Sequence, residues 1–366
     1  MGRRRSLLQS ARTAIARVLA PEMARGYDAA SARRFAPEAR HGRTATETLA
    51  AAPHMRRRAR YFAENDAHAA AGVEALVTYA WGAGAVPAHA DAALVKAFTE
   101  EYWNNCDAEG RLDFGGIVAL AIRAMIVDGE PFVILRGDKL QLTPAEQVDE
   151  SLTRELGGGA YIAAGIEFNA AGERVAYWIR PFLPTQQFET YAPPVRVDAA
   201  DVLHLFKPKG IGQIRGVSWL APILLKLADL GLLSDALLKG FQVSALNSVY
   251  LIDRDGAPGL PFEGDKQGDA LDVSLEPGAA RILRGNWEMK ANTPQQAQQS
   301  VEYMTAVIEE IAAGLGVPAF MVSGNVSRAN YSSLRAALIT FKAHLESIQH
   351  NISFPSFSRR SGAAGC

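Results

Sequence analysis

The stretch SWLAPILLKLADLGLLSDALLKGFQVSALNSVYLI, residues 218–252, places leucines and other apolar side chains on nearly every face of one segment. It predicts a long helix over residues 217–248, with Ser218 as a candidate N-cap. A helix that is apolar nearly all round has to be covered on several sides. The stretch therefore belongs either to a large core or to an interface between subunits.

Two later segments also predict helices. Residues 294–315 repeat apolar side chains at spacings of three and four, and residues 331–352 do so at Tyr331, Leu334, Leu338, Phe341, Leu345, Ile348 and Ile352. Two apolar positions in seven form a narrow stripe of the coiled-coil kind. Such a stripe fits packing on the protein's own core, and it equally fits packing against a helix of a neighbouring subunit.

The preceding part of the chain mixes helices with strands. EPFVILRG (130–137) and DVLHLF (201–206) predict strands, and residues 160–181 predict a β-hairpin around NAAGE. Helices are expected near residues 56–82, 90–105 and 115–127. The whole pattern predicts an α+β fold with mainly antiparallel strands.

Charge is distributed unevenly along the 366 residues. Residues 1–60 contain 14 Arg, no Lys and four acidic residues, a net charge of +10, whereas the whole chain has a net charge of −1. We expect residues 1–55 to form a basic, poorly ordered arm, which either contacts a polyanion or is simply a solvated terminus. No run of 18 or more uncharged apolar residues indicates a membrane span. Two cysteines provide no disulfide framework and favour a reducing compartment.

Motifs for common chemistry do not support an enzyme or a bound cofactor. Gly210, Gly212 and Gly216 resemble a dinucleotide loop, but their spacing is one residue too long. No phosphate loop for ATP, G-x-S-x-G or H-E-x-x-H occurs. Cys106 has no neighbouring base in the sequence. A metal on Asp128, Glu130 and Asp138 is an alternative to their interpretation as turn formers and caps.

Six blocks occur in an order that resembles the lambda-type family of phage portal proteins. They are RARYFAENDAHAAAGVEALVTYAWGAG (58–84), NNCDAEGRLDF (104–114), DGEPFVILR (128–136), DVLHLFKPKGIGQIRGVSWLAPILLKLADL (201–230), IAAGLGVP (311–318) and NYSSLRAAL (330–338). The resemblance covers residues 56–352. It implies a non-enzymatic ring of about twelve subunits at one capsid vertex, which conducts double-stranded DNA during packaging, retention and ejection.

The resemblance also implies a domain plan and a set of partners. The partners are the terminase large subunit, which carries the packaging ATPase, the major capsid protein and head-completion or tail proteins; the location is the virion, with assembly in the host cytoplasm. The plan has a wing at 56–216, a first stem helix at 217–248, a clip at 249–293, a second stem helix at 294–318, a channel loop with a long wing helix at 319–352, and an atypical tail at 353–366. Because the tail lacks periodicity, we expect a truncated or frameshifted copy.

The resemblance further places a polar loop beside the DNA channel. Its candidate DNA-contacting residues are Arg328, Asn330, Ser332, Ser333 and Arg335. These side chains suit contacts to phosphates that read no bases. Alternatively, Ser and Asn here only cap a helix. Two rival functions stay open: a metal-dependent enzyme acting on nucleic acid, and a non-catalytic DNA-binding monomer that uses the arginine-rich arm.

Overall fold

A computed structural model describes residues 45–82, 84, 89–181, 193–246, 250–253, 265–267, 270–272, 287–290, 296–327 and 330–350. The chain divides into two compact units, residues 1–50 and 51–366. Most of the predicted arm, most of the clip and the whole of the tail lie outside the described residues. Among the helices described, none is long and apolar enough to cross a membrane.

The helices α1 and α2 begin the described chain, and α1 starts earlier than the sequence suggested. The helix α1 spans Ala45–Asn65 and α2 spans Ala67–Trp81. Residues 45–55, which we expected to be poorly ordered, are therefore helical. The expectation failed because alanine favours a helix without creating an apolar period, and the side chain of Ala52 is buried. Asp66 separates the two helices and caps α2 by accepting a hydrogen bond from the Ala69 amide at 2.8 Å.

Three further helical segments complete the N-terminal half. The helix α3, Ala92–Ala97, continues through a π-helical turn, Phe98–Tyr102, into α4, Trp103–Asn105. After a turn, α5 spans Phe114–Val127. Asp113 caps α5 by accepting from the Gly116 amide at 2.7 Å, which is the expected role of an acid before an apolar helix.

Eight strands form two antiparallel sheets. One sheet has the order β2-β1-β8, from Phe132–Arg136 (β1), Lys139–Thr143 (β2) and Val202–His204 (β8). The other runs β3-β4-β5-β6-β7, from Arg154–Gly157, Ala160–Ala163, Ile166–Phe168, Arg174–Ile179 and Val195–Asp198. Strands β5 and β6 pair with each other and form the predicted hairpin, and β4 pairs with the other edge of β5. The predicted α+β class with mainly antiparallel strands is confirmed.

Strand β1 is buried on both faces. Phe132 and Ile134 belong to an apolar cluster with Ile166 and Tyr177 of the five-stranded sheet. Val133 points the other way, into a cluster with residues of α5, because successive side chains of a strand alternate in direction. The three-stranded sheet is therefore the middle layer between α5 and the larger sheet.

Two long helices follow the sheets, at the places where the sequence predicted stem helices. The helix α6 spans Leu224–Leu246 and α7 spans Gln296–Leu315. The start of α6 is later than predicted, and Ser218 is not its N-cap. Residues 218–223 form tight turns in which the Ala221 amide donates to Ser218 O and the Ile223 amide to Leu220 O. Pro222 has no amide hydrogen to donate within this segment, so regular helix begins only at Leu224.

Short strands connect α6 to α7. Strands β9, Tyr250–Asp253, and β12, Trp287–Lys290, pair antiparallel. Strands β10, Asp265–Gln267, and β11, Ala270–Asp272, form a second pair. Since β9 follows α6 and β12 precedes α7, their pairing brings the end of α6 and the start of α7 to the same place. The Lys226–Glu310 ion pair at 2.8 Å joins the opposite ends of the two helices, which are therefore antiparallel.

The last two helices are α8, Ala319–Ser323, and α9, Tyr331–Ile348. The apolar stripe of α9 is buried only over its second half. Phe341, Leu345 and Ile348 join the main helical core, which also contains residues of α1, α2, α5, α6, α7 and α8. Tyr331, at the start of the stripe, is largely exposed. The stripe therefore packs on the chain's own core at one end and leaves its other end free.

A buried ionic network joins α1 to the segments around the sheets. Arg215 Nε donates to Glu130 Oε1 at 2.6 Å, and both side chains are almost completely buried. Arg56 of α1 reaches the same centre, with Nη2 at 2.7 Å from Glu150 and 3.6 Å from Glu130. His204 Nε2 lies 2.8 Å from Glu130 Oε2. The network thus links residues from α1, β8 and three connecting segments.

The network fixes the protonation state of Glu130 and His204. Burial alone would raise the pKa of Glu130, but the Arg215 charge and the hydrogen bond from His204 lower that pKa to about 2. Burial lowers the pKa of His204 to about 4, against the hydrogen bond to Glu130. Near neutral pH a neutral imidazole therefore donates from Nε2 to the Glu130 carboxylate and accepts at Nδ1 from Arg174, 3.4 Å away.

Candidate nucleic-acid interface

The loop before α9 is shaped by its own side chains. The helix α8 ends at Gly324, whose φ of 68° is in the left-handed region that favours glycine. Ser323 Oγ accepts from the Asn325 amide at 3.1 Å, and Asn325 Oδ1 accepts from the Ser327 amide at 2.9 Å. Residues 323–327 are thus a sequence of side-chain-stabilised turns that leads to the candidate DNA-contacting residues.

Asn330 and Ser333 form a reciprocal cap at the start of α9. Asn330 Oδ1 accepts from the Ser333 amide at 2.8 Å, and the Asn330 amide donates to Ser333 Oγ at 3.1 Å. This capping box satisfies two of the amides that a helix start leaves without partners. The capping role that the sequence left open is therefore present for these two residues.

The other candidate DNA-contacting residues are Ser332, Arg335 and Arg328. Ser332 and Arg335 are exposed on the first two turns of α9, and Arg328 lies outside the described residues. The first turn of α9 carries no acidic side chain. Because a helix start carries partial positive charge, an adjacent arginine and an exposed serine hydroxyl make this end of α9 suitable for phosphate oxygens.

The three carboxylates that the sequence suggested as metal ligands either bind arginines or lie away from the other two. Arg60 Nε and Nη2 donate to Asp128 at 2.6 and 2.8 Å. Glu130 is held by the buried network, and Asp138 is exposed in the turn at the far end of β1. Among the residues that the structure describes, no group of three or more acids, histidines and cysteines could hold a metal ion.

The candidate cysteine and the glycine-rich loop have structural environments. Cys106 is fully buried, and burial raises the pKa of its thiol, which disfavours the reactive thiolate. In the loop, Gln213 Oε1 accepts from the Lys209 amide at 2.7 Å, and the Gly216 amide donates to Glu130 at 2.7 Å. A Cβ at Gly216 would lie 2.2 Å from Gly129 O, so this glycine permits close backbone packing within the protein.

A second surface of interest lies on the helices α6 and α7. The apolar residues Leu225, Leu232, Leu238 and Phe241 of α6 and Val301 of α7 remain exposed. Leu225 and Leu232 expose 74% and 69% of their surface, and Leu238 and Val301 expose 57% and 61%. The sequence indicated an apolar helix that needs cover on several sides, and the residues that the structure describes leave much of that surface exposed.

Comparisons with known proteins agree with the fold. The sequence profile described as "Phage portal protein, lambda family" matches residues 30–349. A probable portal protein of Halomonas phage phiHAP-1 is 25% identical over 279 residues, which cover 71% of this chain and 54% of that protein. The chain therefore spans about half the length of this curated relative.

Solved structures show the same architecture. The neck of an empty gene transfer agent particle, computed with C6 symmetry, contains a chain that is 15% identical, with a TM-score of 0.50, covering 86% of this chain and 79% of that one. A chain from the neck of the native particle, computed with C12 symmetry, is 15% identical at a TM-score of 0.49, covering 80% and 74%. The profile match over residues 30–349, most of the chain, shows that it belongs to the lambda family of phage portal proteins.

Proposed function

We propose that this chain is the structural subunit of a ring that forms the DNA conduit at one vertex of a capsid. The observation that carries the proposal is the apolar surface of α6 and α7 that the described residues of one copy leave exposed. Membership in the portal family supports the same assignment.

The energetics favour a partner for this surface. Burying one leucine is worth about 1.5–3 kcal/mol, and several large apolar side chains are exposed along the α6–α7 pair. Exposed apolar patches of this kind mark interaction sites in soluble proteins. In a ring, each subunit supplies the cover for the next one, so all copies bury this surface without needing a different protein.

We further propose that the start of α9 contacts DNA in the channel. Arg335 and Ser332 are exposed there, Asn330 and Ser333 orient the helix start, and Arg328 precedes it in the chain. Contacts to phosphate position a duplex without reading its sequence. A ring repeats these groups around the channel, so weak contacts from each subunit add up while the DNA stays free to slide.

The same proposal assigns the surroundings of the ring. The terminase large subunit supplies the packaging ATPase, the major capsid protein encloses the ring, and head-completion or tail proteins attach to its outer end. The chain has no catalytic activity of its own. It resides at the portal vertex of the virion after assembly in the host cytoplasm.

Solution mass tests the proposal. The 39.4 kDa chain should sediment with about twelve times that mass, and negative-stain images of the same fraction should show annular particles. A monomer at every concentration tested would overturn it. A DNA-binding monomer is the rival favoured by the ten arginines of residues 1–44. Removing these residues should abolish DNA binding by such a monomer, whereas it should leave the mass of a ring of the remaining chain at about twelve subunits.

A further inference from the structure

The helix α6 exposes two apolar surfaces on opposite sides. Leu225 and Leu232 are seven residues apart, which brings them to within about 20° of each other around the helix. Leu238 and Phe241 follow Leu225 by thirteen and sixteen residues, at about 220° and 160° from it. All four side chains are exposed. The leucine pair therefore lies opposite Leu238 and Phe241.

The two surfaces have different shapes. On the side of Leu238 and Phe241, α6 and α7 enclose a shallow groove of about 250 Å³, lined also by Leu237, Val301 and Met304. The opposite side carries Leu225 and Leu232 as projecting side chains, away from α7. One helix thus has an apolar ridge on one side and an apolar groove on the other.

We propose that the ridge formed by Leu225 and Leu232 inserts into the α6–α7 groove of the next copy of this chain. The inference rests on the proposed ring and specifies its stem contact. A ridge that fits a groove elsewhere on the same molecule makes a heterologous contact, which repeats from copy to copy and closes when the rotation allows. An isologous dimer would instead pair two identical surfaces and leave the other surface of each α6 uncovered.

The groove also suits the ridge in chemistry. Its described lining is mostly apolar, with Leu237, Leu238, Phe241, Val301 and Met304 against two serines. An aliphatic side chain is therefore a better occupant than a charged one, because a buried charge in such surroundings needs a partner. Neither the ridge nor the groove is suited to an arginine that contacts DNA.

Cysteine cross-linking tests the pairing directly. In a Cys366→Ser background, in which the buried Cys106 remains, we would compare Leu232→Cys, Val301→Cys and the double variant under mild oxidation. The double variant should give a ladder of covalent multimers, whereas each single variant should stay uncross-linked. Multimers from Leu232→Cys alone would show like surfaces meeting and would overturn the inference.

Mass measurements on the same samples separate this inference from the proposed function. Rings in which the double variant gives no ladder would overturn the stem pairing and leave the portal assignment standing. The absence of rings in the unmodified chain would overturn both. Leu232→Glu should weaken association by about tenfold to hundredfold per contact, while Leu232→Met should restore it. Ile211→Glu, at a fully exposed isoleucine outside the stem, is the matched control and should leave the mass unchanged.

Discussion

Arg215→Met should destabilise the chain strongly, because it leaves the Glu130 carboxylate buried without its closest cation. The wild-type guanidinium donates to Glu130 at 2.6 Å and to the carbonyl oxygens of Ala164 and Ala145 at 2.9 and 3.0 Å. Methionine fills a similar volume but donates no hydrogen bond. The remaining cation, Arg56, lies 3.6 Å from Glu130 and compensates only partly.

The expected loss follows from the burial of the pair. Removing one partner of a buried ion pair costs about 3–5 kcal/mol, which is a large share of the about 5–15 kcal/mol that typically stabilises a folded protein. Arg196→Ala is the matched control. Arg196 pairs with Glu167 and Asp198 but is 43% exposed, so its removal should cost less than about 1 kcal/mol.

Urea unfolding followed by circular dichroism measures the difference. Each variant should be measured at two protein concentrations, because assembly shifts apparent stability by mass action. Adding Glu130→Gln to Arg215→Met should recover part of the loss, since it removes the charge left without a partner. The reasoning is refuted if the free energies of unfolding of Arg215→Met and Arg196→Ala differ by less than about 1 kcal/mol.

Three other predictions concern packing, pH and DNA. Gly216→Ala should lower stability by about 1–3 kcal/mol or more, because its Cβ would meet Gly129 O at 2.2 Å; Gly210→Ala, with open space around it, should unfold like wild type. The folded-state pKa of His204 is lowered to about 4, so the free energy of unfolding should decline by about 3 kcal/mol as the pH falls from 6.5 towards 4. His204→Gln should flatten that decline when urea unfolding is measured across this pH range. An unchanged pH dependence in the variant would contradict the prediction. Arg335→Ala should leave the ring mass intact and weaken DNA retention in filter binding, more so at low salt, whereas Arg111→Ala should match wild type.

Local patterns in the sequence predicted most of the elements. The apolar run of Phe132, Val133 and Ile134 indicates a strand that is buried on both faces. In the structure Phe132 and Ile134 pack in one cluster and Val133 packs in the other. Asp66 and Asp113 cap helix starts by accepting from amides three residues away. These caps were not identified from the sequence, which predicted one helix over residues 56–82 where the structure has two. Such contacts depend on neighbours in the sequence, so they can be inferred without the fold.

Longer-range features escaped the sequence for a physical reason. The sequence suggested Glu130 as a metal ligand or a cap. Only the fold shows that Arg215 neutralises its charge and that His204 forms a hydrogen bond with it. The start of α1 was missed because alanines form a helix without an apolar period. The α9 stripe predicted a seam, but the change from exposed Tyr331 through half-buried Leu334 and Leu338 to a buried second half depends on where the core ends.

The candidate DNA site was only partly predictable. Asn330 and Ser333 have the spacing of a capping box, which the structure contains. The placement of Ser332 and Arg335 towards DNA depends on where neighbouring subunits lie, and no pattern within one chain specifies that. The stem surface is the converse case, because leucines on every side of a helix indicate by themselves that other elements or subunits must cover it.

The buried ionic network also orders events during synthesis. Glu130 and Arg215 are 85 residues apart, and at about 5–20 residues per second the ribosome makes the carboxylate roughly 4–17 s before its cation. The ion pair between Glu130 and Arg215 can therefore form only after residue 215 has emerged. The next helix to leave the ribosome is α6, with its exposed leucines. The nascent chain thus presents the exposed leucines of α6 only after both partners of this buried ion pair have been made.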